Sequence, residues 1–145
     1  MTNDTELRID MERTLDAAVE RVFAVLTGAE HIAQWFGPSD DYKIKVHEWD
    51  CRVGGKYRVA FHTSPDEVHT VVGEFREITP NQRVSYTWSW EGQPPMDTLV
   101  TFDVEADGKQ THLKLTHEGL PLEELRQHHS QGWSGSLERL TRAIQ

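Results

Sequence analysis

LEELRQHHSQGWSGSLERLTRAIQ, residues 122–145, is the stretch that decides the fold. At about 100° per residue, its larger side chains fall on one face of a single helix roughly 34 Å long. The residues of that face are Leu122, Leu125, His129, Trp133, Leu137, Leu140 and Ile144. His129 and Trp133 interrupt an otherwise aliphatic stripe, and small residues beside them keep this part of the helix thin. We therefore expect a long C-terminal helix whose middle part forms the wall of a cavity.

Upstream of this helix, apolar and polar residues alternate with the period of two that is typical of half-buried strands. Residues 6–14 are the first such segment, and residues 84–90 are the clearest. After the first strand, residues 16–36 carry apolar side chains at helical spacing, with a break at Gly28. The sequence predicts a strand, two short helices, about six strands and one long helix.

Two local features of these segments give specific expectations. Asp16 is expected to cap the first short helix, because its carboxylate is a good acceptor for free N–H groups. In the strand predicted over residues 68–78, Val72 and Phe75 share a face only if Gly73 marks a bulge.

The segment 50–55, DCRVGG, is predicted to be a strand corner. A glycine pair permits a tight backbone, and Asp50 and Arg52 are expected to fix it by a charge-assisted hydrogen bond. Cys51 has no histidine at a recognisable nucleophile spacing, so we do not predict a catalytic thiol.

Composition limits the classes of partner. The 145 residues, taken as a single domain over 1–145, include 24 acidic and 15 basic residues for a net charge of −9. Without a run of Lys or Arg, neither nucleic acid nor an anionic membrane is an expected partner. The polar N-terminus, the lack of a long apolar run and the single cysteine indicate an unexported, cytoplasmic protein.

The order of elements favours an α+β fold with one antiparallel sheet. Such a sheet has to cover its apolar face, and the C-terminal helix is the one predicted element long enough to do so.

Several short motifs along the chain have a characteristic order and spacing. They are Val22-Phe23, Gln34-Trp35-Phe36-Gly37, residues 50–55, Gly73-Glu74, residues 79–83, Tyr86-Thr87-Trp88, residues 113–119 and Gly132-Trp133. In these motifs the chain resembles the START-like (SRPBCC) superfamily, and within it small bacterial proteins similar to the C-terminal domain of the activator of heat-shock protein 90 ATPase. The resemblance implies a helix-grip fold, in which a curved antiparallel sheet of about six to seven strands wraps around a long C-terminal helix and encloses a cavity. The superfamily includes lipid carriers, hormone receptors and polyketide cyclases, so the fold alone gives little function.

Polar groups that are in phase with apolar faces are the candidate ligand-binding residues. His117 is in phase with Leu113 and Leu115, and we expect it to meet His129 and Trp133 across the cavity. Two interpretations stay open, because a buried ring nitrogen is satisfied either by a neighbouring protein group or by a ligand. The same choice between core packing and cavity lining applies to Trp133 and to the aromatic residues of the strands and second helix. The latter are Trp35, Tyr57, Phe61, Tyr86, Trp88 and Phe102.

No metal, cofactor or catalytic group is predicted. The eight histidines include no HExxH pattern, and His128 and His129 are adjacent and therefore about 100° apart on the helix. The sequence also lacks a glycine-rich phosphate loop and a recognisable Ser/His/Asp order.

The leading hypothesis is a domain that binds a small, mostly apolar or aromatic molecule between sheet and helix. A second hypothesis is a protein-interaction or stress-response module with a chaperone or regulator as partner. A third is an enzyme similar to the polyketide cyclases, with His117 or His129 as general acid-base. A homodimer through a sheet edge, or through a surface containing Trp49 and Trp90, is also compatible with the sequence.

Overall fold

The computed structural model describes residues 7–144 and shows strands and helices in the predicted order. The elements are β1 (Leu7–Leu15), α1 (Val19–Thr27), α2 (Ala29–Trp35), β2 (Lys43–Trp49), β3 (Lys56–Ser64), β4 (Glu67–Thr79), β5 (Arg83–Trp90), β6 (Thr98–Asp107), β7 (Gln110–Leu120) and α3 (Glu123–Ala143).

The strands form one seven-stranded antiparallel sheet in the order β1-β7-β6-β5-β4-β3-β2. Strands β2 to β7 pair with their neighbours along the chain, whereas β1 pairs with β7. The edges of the sheet are therefore β1 and β2, and α1 and α2 connect one edge to the other. This curved sheet with its C-terminal helix and two short helices confirms the predicted helix-grip fold.

Alternating residues of the strands bury a shared apolar face. Val84, Tyr86 and Trp88 of β5 are buried, as the alternation in this strand predicted. The neighbouring β6 and β7 contribute Val100, Phe102, Leu113 and Leu115 to the same core.

The predicted cap of α1 is wrong. The N-cap residue is Ala18, and no side chain caps the helix. Asp16 lies two residues too early to reach the free N–H groups of the first turn, because residues 16–18 still belong to the connection from β1. Thr111 of β7 holds this connection by donating a hydrogen bond to the carbonyl oxygen of Ala17 (2.7 Å).

The bulge in β4 lies further along than predicted. Val71 and Phe75 are both buried and share the inner face, and the register with β5 shifts between Phe75 and Glu77. Gly73 has a different role, since a Cβ at this position would overlap the carbonyl oxygen of Thr87 and the ring of Tyr57. The absence of a side chain at Gly73 permits the close approach of β4 to these neighbours.

The strand corner at 50–55 is confirmed. Arg52 Nε donates a hydrogen bond to Asp50 Oδ2 over 2.9 Å, and Gly54 has a φ of 86°, which favours glycine.

Helix α3 is joined to α2 by Arg139, a residue that the sequence analysis did not select. Its guanidinium donates hydrogen bonds to Asp40 and to the carbonyl oxygens of Ala33, Phe36 and Gly37. Its side chain is only 8% exposed. These bonds satisfy the free carbonyl groups at the C-terminal end of α2.

None of the helices within residues 7–144 is long and apolar enough to cross a membrane.

Candidate functional site

A pocket of about 420 Å³ lies between the first part of α3, the segment after α2 and strands β3 to β5. Its lining is mostly aromatic or apolar. The lining residues are Phe36, Gly37, Pro38, Tyr42, Phe61, Thr63, Glu67, His69, Trp88, Trp90, Leu125, His128, His129, Gly132, Trp133 and Ser136.

The aromatic part of the wall is built around Trp88. The centroid of the Trp88 ring lies 5.0 Å from that of Trp133, 5.6 Å from that of Trp90 and 5.7 Å from that of Phe36. Phe61 completes the series, at 5.8 Å from Phe36 and 5.6 Å from Trp90. Several of these pairs meet edge to face, the arrangement that the ring quadrupoles favour.

His129 links α3 to the end of β5. Its Nε2 accepts a hydrogen bond from Trp90 Nε1 over 3.0 Å, and Nδ1 lies 2.7 Å from the carbonyl oxygen of Leu125. Because an indole nitrogen only donates, Nε2 has to be the acceptor and Nδ1 has to carry the proton. Burial lowers the pKa of His129, which favours this neutral form.

His117 forms a second chain of hydrogen bonds beneath the pocket. Trp133 Nε1 donates to His117 Nδ1 over 3.0 Å, and His117 Nε2 lies 3.0 Å from Thr98 Oγ1. Thr98 Oγ1 in turn donates to the carbonyl oxygen of Trp88 over 2.7 Å. The ring is therefore neutral with its proton on Nε2, and both nitrogens are satisfied by protein groups. Burial lowers the pKa of His117 to about 3, with a smaller contribution from His129.

The structure separates the nine sequence-predicted site residues into two sets. Phe61, Trp88, His129 and Trp133 line the pocket. The other five lie in the core around it. They are Trp35, Tyr57, Tyr86, Phe102 and His117. His117, His129 and Trp133 do come together, with the ring centroids of the two histidines 5.4 Å apart.

Sequence reasoning missed several lining residues, and Trp90 is the main one. Alternation with Trp88 places Trp90 on the inward face of its strand, but it was not selected as a site residue and was named with Trp49 as a possible dimer surface. The two indoles do not form one surface. Trp49 donates its N–H to the carbonyl oxygen of Thr27 (2.9 Å) and packs on Phe75, whereas Trp90 faces His129 and the pocket.

Two buried side-chain polar atoms have no hydrogen-bond partner among residues 7–144. They are Tyr86 Oη and Trp88 Nε1. Such groups are uncommon in protein interiors, because leaving a buried donor unpaired costs about 1–3 kcal/mol. The Trp88 indole is the member of this pair that also lines the pocket.

The site offers little for nucleophilic chemistry. Cys51 does not line the pocket, and burial, with a smaller effect of Asp50, raises the pKa of its thiol to about 11. Both histidines at the centre of the site use both ring nitrogens within the protein.

Solved structures with this fold are numerous. Protein CV1439 from Chromobacterium violaceum has 28% identity and a TM-score of 0.87, over 94% of this chain and 96% of its own. The AHSA1 protein from Silicibacter pomeroyi has 26% identity and a TM-score of 0.84, over 95% of this chain and 97% of its own. No curated protein matches the sequence. The family model described as "Activator of Hsp90 ATPase homolog 1-like protein" matches residues 16–145, and the chain therefore belongs to this family.

Proposed function

We propose that this protein binds a small, mostly apolar or aromatic molecule in the pocket between the sheet and α3. The observation that carries the proposal is a space of about 420 Å³ lined by six large aromatic side chains. Ligand sites of roughly 300–1,000 Å³ with such walls, and with few polar groups, are typical for small molecules. We place this activity in the cytoplasm, in keeping with the single cysteine of the sequence.

The histidines have a positioning role in this proposal. His117 holds the indole of Trp133, and His129 holds the indole of Trp90, so each fixes an aromatic wall of the pocket. Other polar side chains on the wall include Tyr42, Ser136 and the Trp88 indole, whose N–H has no hydrogen-bond partner among residues 7–144.

Gly132 gives a direct test, since it lines the pocket and a Cβ placed on it meets nothing within 4 Å. We expect Gly132→Leu to fold normally while its side chain occupies the pocket. In a thermal-shift screen with neutral aromatic compounds, a ligand that raises the Tm of the wild type should lose its effect on this variant.

Ser134→Leu is the matched control, because Ser134 is exposed on the same helix and lies outside the pocket lining. It should keep the full ligand-induced shift. Equal shifts in the wild type and in Gly132→Leu would show that the ligand binds elsewhere.

The family relationship favours a second candidate, a protein-interaction or stress-response module acting on a chaperone ATPase. This second candidate is tested by measuring the ATPase rate of a heat-shock protein 90 with and without this protein. An unchanged rate, together with no complex in gel filtration, would rule out this candidate. The polyketide-cyclase alternative has less support, because neither His117 nor His129 presents a free ring nitrogen to a substrate.

A further inference from the structure

Among residues 7–144, the lining of the pocket contains one carboxylate, three histidines and no Lys or Arg. Glu67, on the rim, is the one carboxylate in the lining, and the described residues place no Lys or Arg beside it. Glu67 accepts hydrogen bonds from Thr63 Oγ1 (3.1 Å) and His69 Nε2 (3.1 Å), which hold the carboxylate at the mouth. The chain as a whole carries a net charge of −9. Both the local and the overall field therefore favour a cation over an anion.

Three hydrogen-bond donors of the wall are already used. The Trp90 N–H bonds to His129, the Trp133 N–H bonds to His117, and the Nδ1–H of His129 points to the carbonyl oxygen of Leu125. An anionic group needs several donors or a positive charge to replace its hydration. The described part of this wall has no Lys or Arg, and most of it is aromatic surface, with the hydroxyls of Tyr42 and Ser136 among its other donors.

That aromatic surface has the composition of a cation–π site. Three indoles and two phenyl rings lie around one space, with adjacent centroids 5.0–5.8 Å apart. The faces of aromatic rings attract organic cations, and indole does so most strongly. A quaternary ammonium is well suited, because its charge is spread over methyl groups and it loses little hydration on entering an apolar site.

We propose that the pocket selects an organic ammonium, a tertiary or quaternary ammonium group on an apolar or aromatic body, with the charge held by the indoles and by Glu67. This inference rests on the proposed binding function and names the class of ligand for it.

Three probes of similar shape and different charge test the selection. They are meta-hydroxyphenyltrimethylammonium, meta-tert-butylphenol and meta-hydroxybenzenesulfonate, which place a cation, a neutral group and an anion on the same ring. Isothermal titration at low salt should give the ammonium an affinity about five- to tenfold higher than that of the neutral phenol. The sulfonate should bind weakest.

Two variants separate charge from aromatic surface. Glu67→Gln keeps the size of a side chain that is 60% exposed, and should weaken the ammonium about threefold and the phenol by a smaller factor. Trp90→Leu should reduce the advantage of the ammonium over the phenol, because the aliphatic replacement keeps apolar contact but has no ring face.

An affinity for the phenol or the sulfonate equal to or above that for the ammonium would overturn the ammonium preference and leave the binding function in place. The same holds if none of the three probes binds although the neutral aromatic screen finds a ligand. Failure of both the probes and the screen would remove the binding function itself.

Discussion

The two halves of α3 are held in the molecule in different ways. From Glu123 to Gly132 no side chain is buried, whereas Trp133, Leu137 and Leu140 in the second half are all buried. The first half faces the pocket and touches the sheet through His129, while the second half adds Trp133 and Ser136 to the pocket and otherwise packs on the core and on α2. The difference shows how one helix can complete the fold with one end and leave the other end for a site.

The largest expected effect on stability comes from replacing Arg139, which anchors the second half of α3 to α2. Arg139→Met removes the donors for three carbonyl oxygens at the end of α2, and should lower the free energy of unfolding by about 3–5 kcal/mol. Urea denaturation measures the loss. Arg142→Met is the control, because Arg142 is 55% exposed and bonds only to Asp40, and a change below about 1 kcal/mol is expected. Similar losses in the two variants would contradict the anchoring role of Arg139.

Two glycines of α3 should respond to alanine with opposite signs. A Cβ on Gly135 would overlap the carbonyl oxygen of Pro38, so Gly135→Ala should destabilise by about 2–3 kcal/mol. Gly132 faces open space in the pocket, and Gly132→Ala should stabilise by about 0.5–1 kcal/mol through helix propensity alone. Thermal denaturation of both variants checks the pair. A loss of stability in both variants would mean that the first half of α3 is as tightly packed as the second.

The hydrogen bond from Trp133 to His117 makes the junction of the two halves sensitive to pH. Burial lowers the pKa of His117 from 6.5 to about 3, so the unfolded chain takes up a proton in this range and the folded protein does not. The stability from neutral His117 is therefore complete above pH 6.5 and is lost as the pH falls towards 3. The loss is about 1.4 kcal/mol per pH unit, or about 2 kcal/mol between pH 7 and pH 5.

Urea unfolding of His117→Gln at these two pH values measures this contribution. The variant should lose less stability on acidification than the wild type, with the lowered pKa of His129 accounting for part of what remains. His128→Gln, at an exposed position next in sequence to His129, should behave as the wild type does. If acidification costs His117→Gln as much as it costs the wild type, His117 does not titrate in the way described.

The smallest effect on stability is expected from a change in the contacts of the first half of α3. Trp90→Phe removes the N–H donor to His129 and should cost about 1 kcal/mol in global stability. Hydrogen exchange should be faster for the amides of residues 125–131 and unchanged for residues 137–143. Trp49→Phe also removes a buried indole donor, but one that bonds to Thr27, and should leave exchange in α3 unaltered. Faster exchange along the whole helix would mean that its halves open together.

The sequence was sufficient for the order of elements, because the period of two in β5 and the helical stripe of residues 122–145 are strong signals. The stripe did not distinguish buried from exposed positions, however. Leu122 lies on it and is 58% exposed, since the helix begins only at Glu123.

Only part of the site was predicted, again because spacing in the sequence does not show how deeply a residue lies. In-phase spacing identified Trp88, Trp133 and His129, but it selected Tyr86 and Phe102 equally, and these lie in the core. Whether an inward residue reaches the pocket depends on how far it lies along the sheet. Arg139 escaped notice because its role depends on a contact with α2, more than a hundred residues earlier in the chain.

The pairing of β1 with β7 also determines the order in which the molecule can assemble. Leu15 pairs with Thr111 and Arg8 with Glu118, so this ladder closes a loop of roughly a hundred residues, whereas β2 to β7 pair through local turns. Non-local pairing of this kind is slow to form. Because α3 directly follows β7, the helix that forms one wall of the pocket comes after all seven strands in the order of elements.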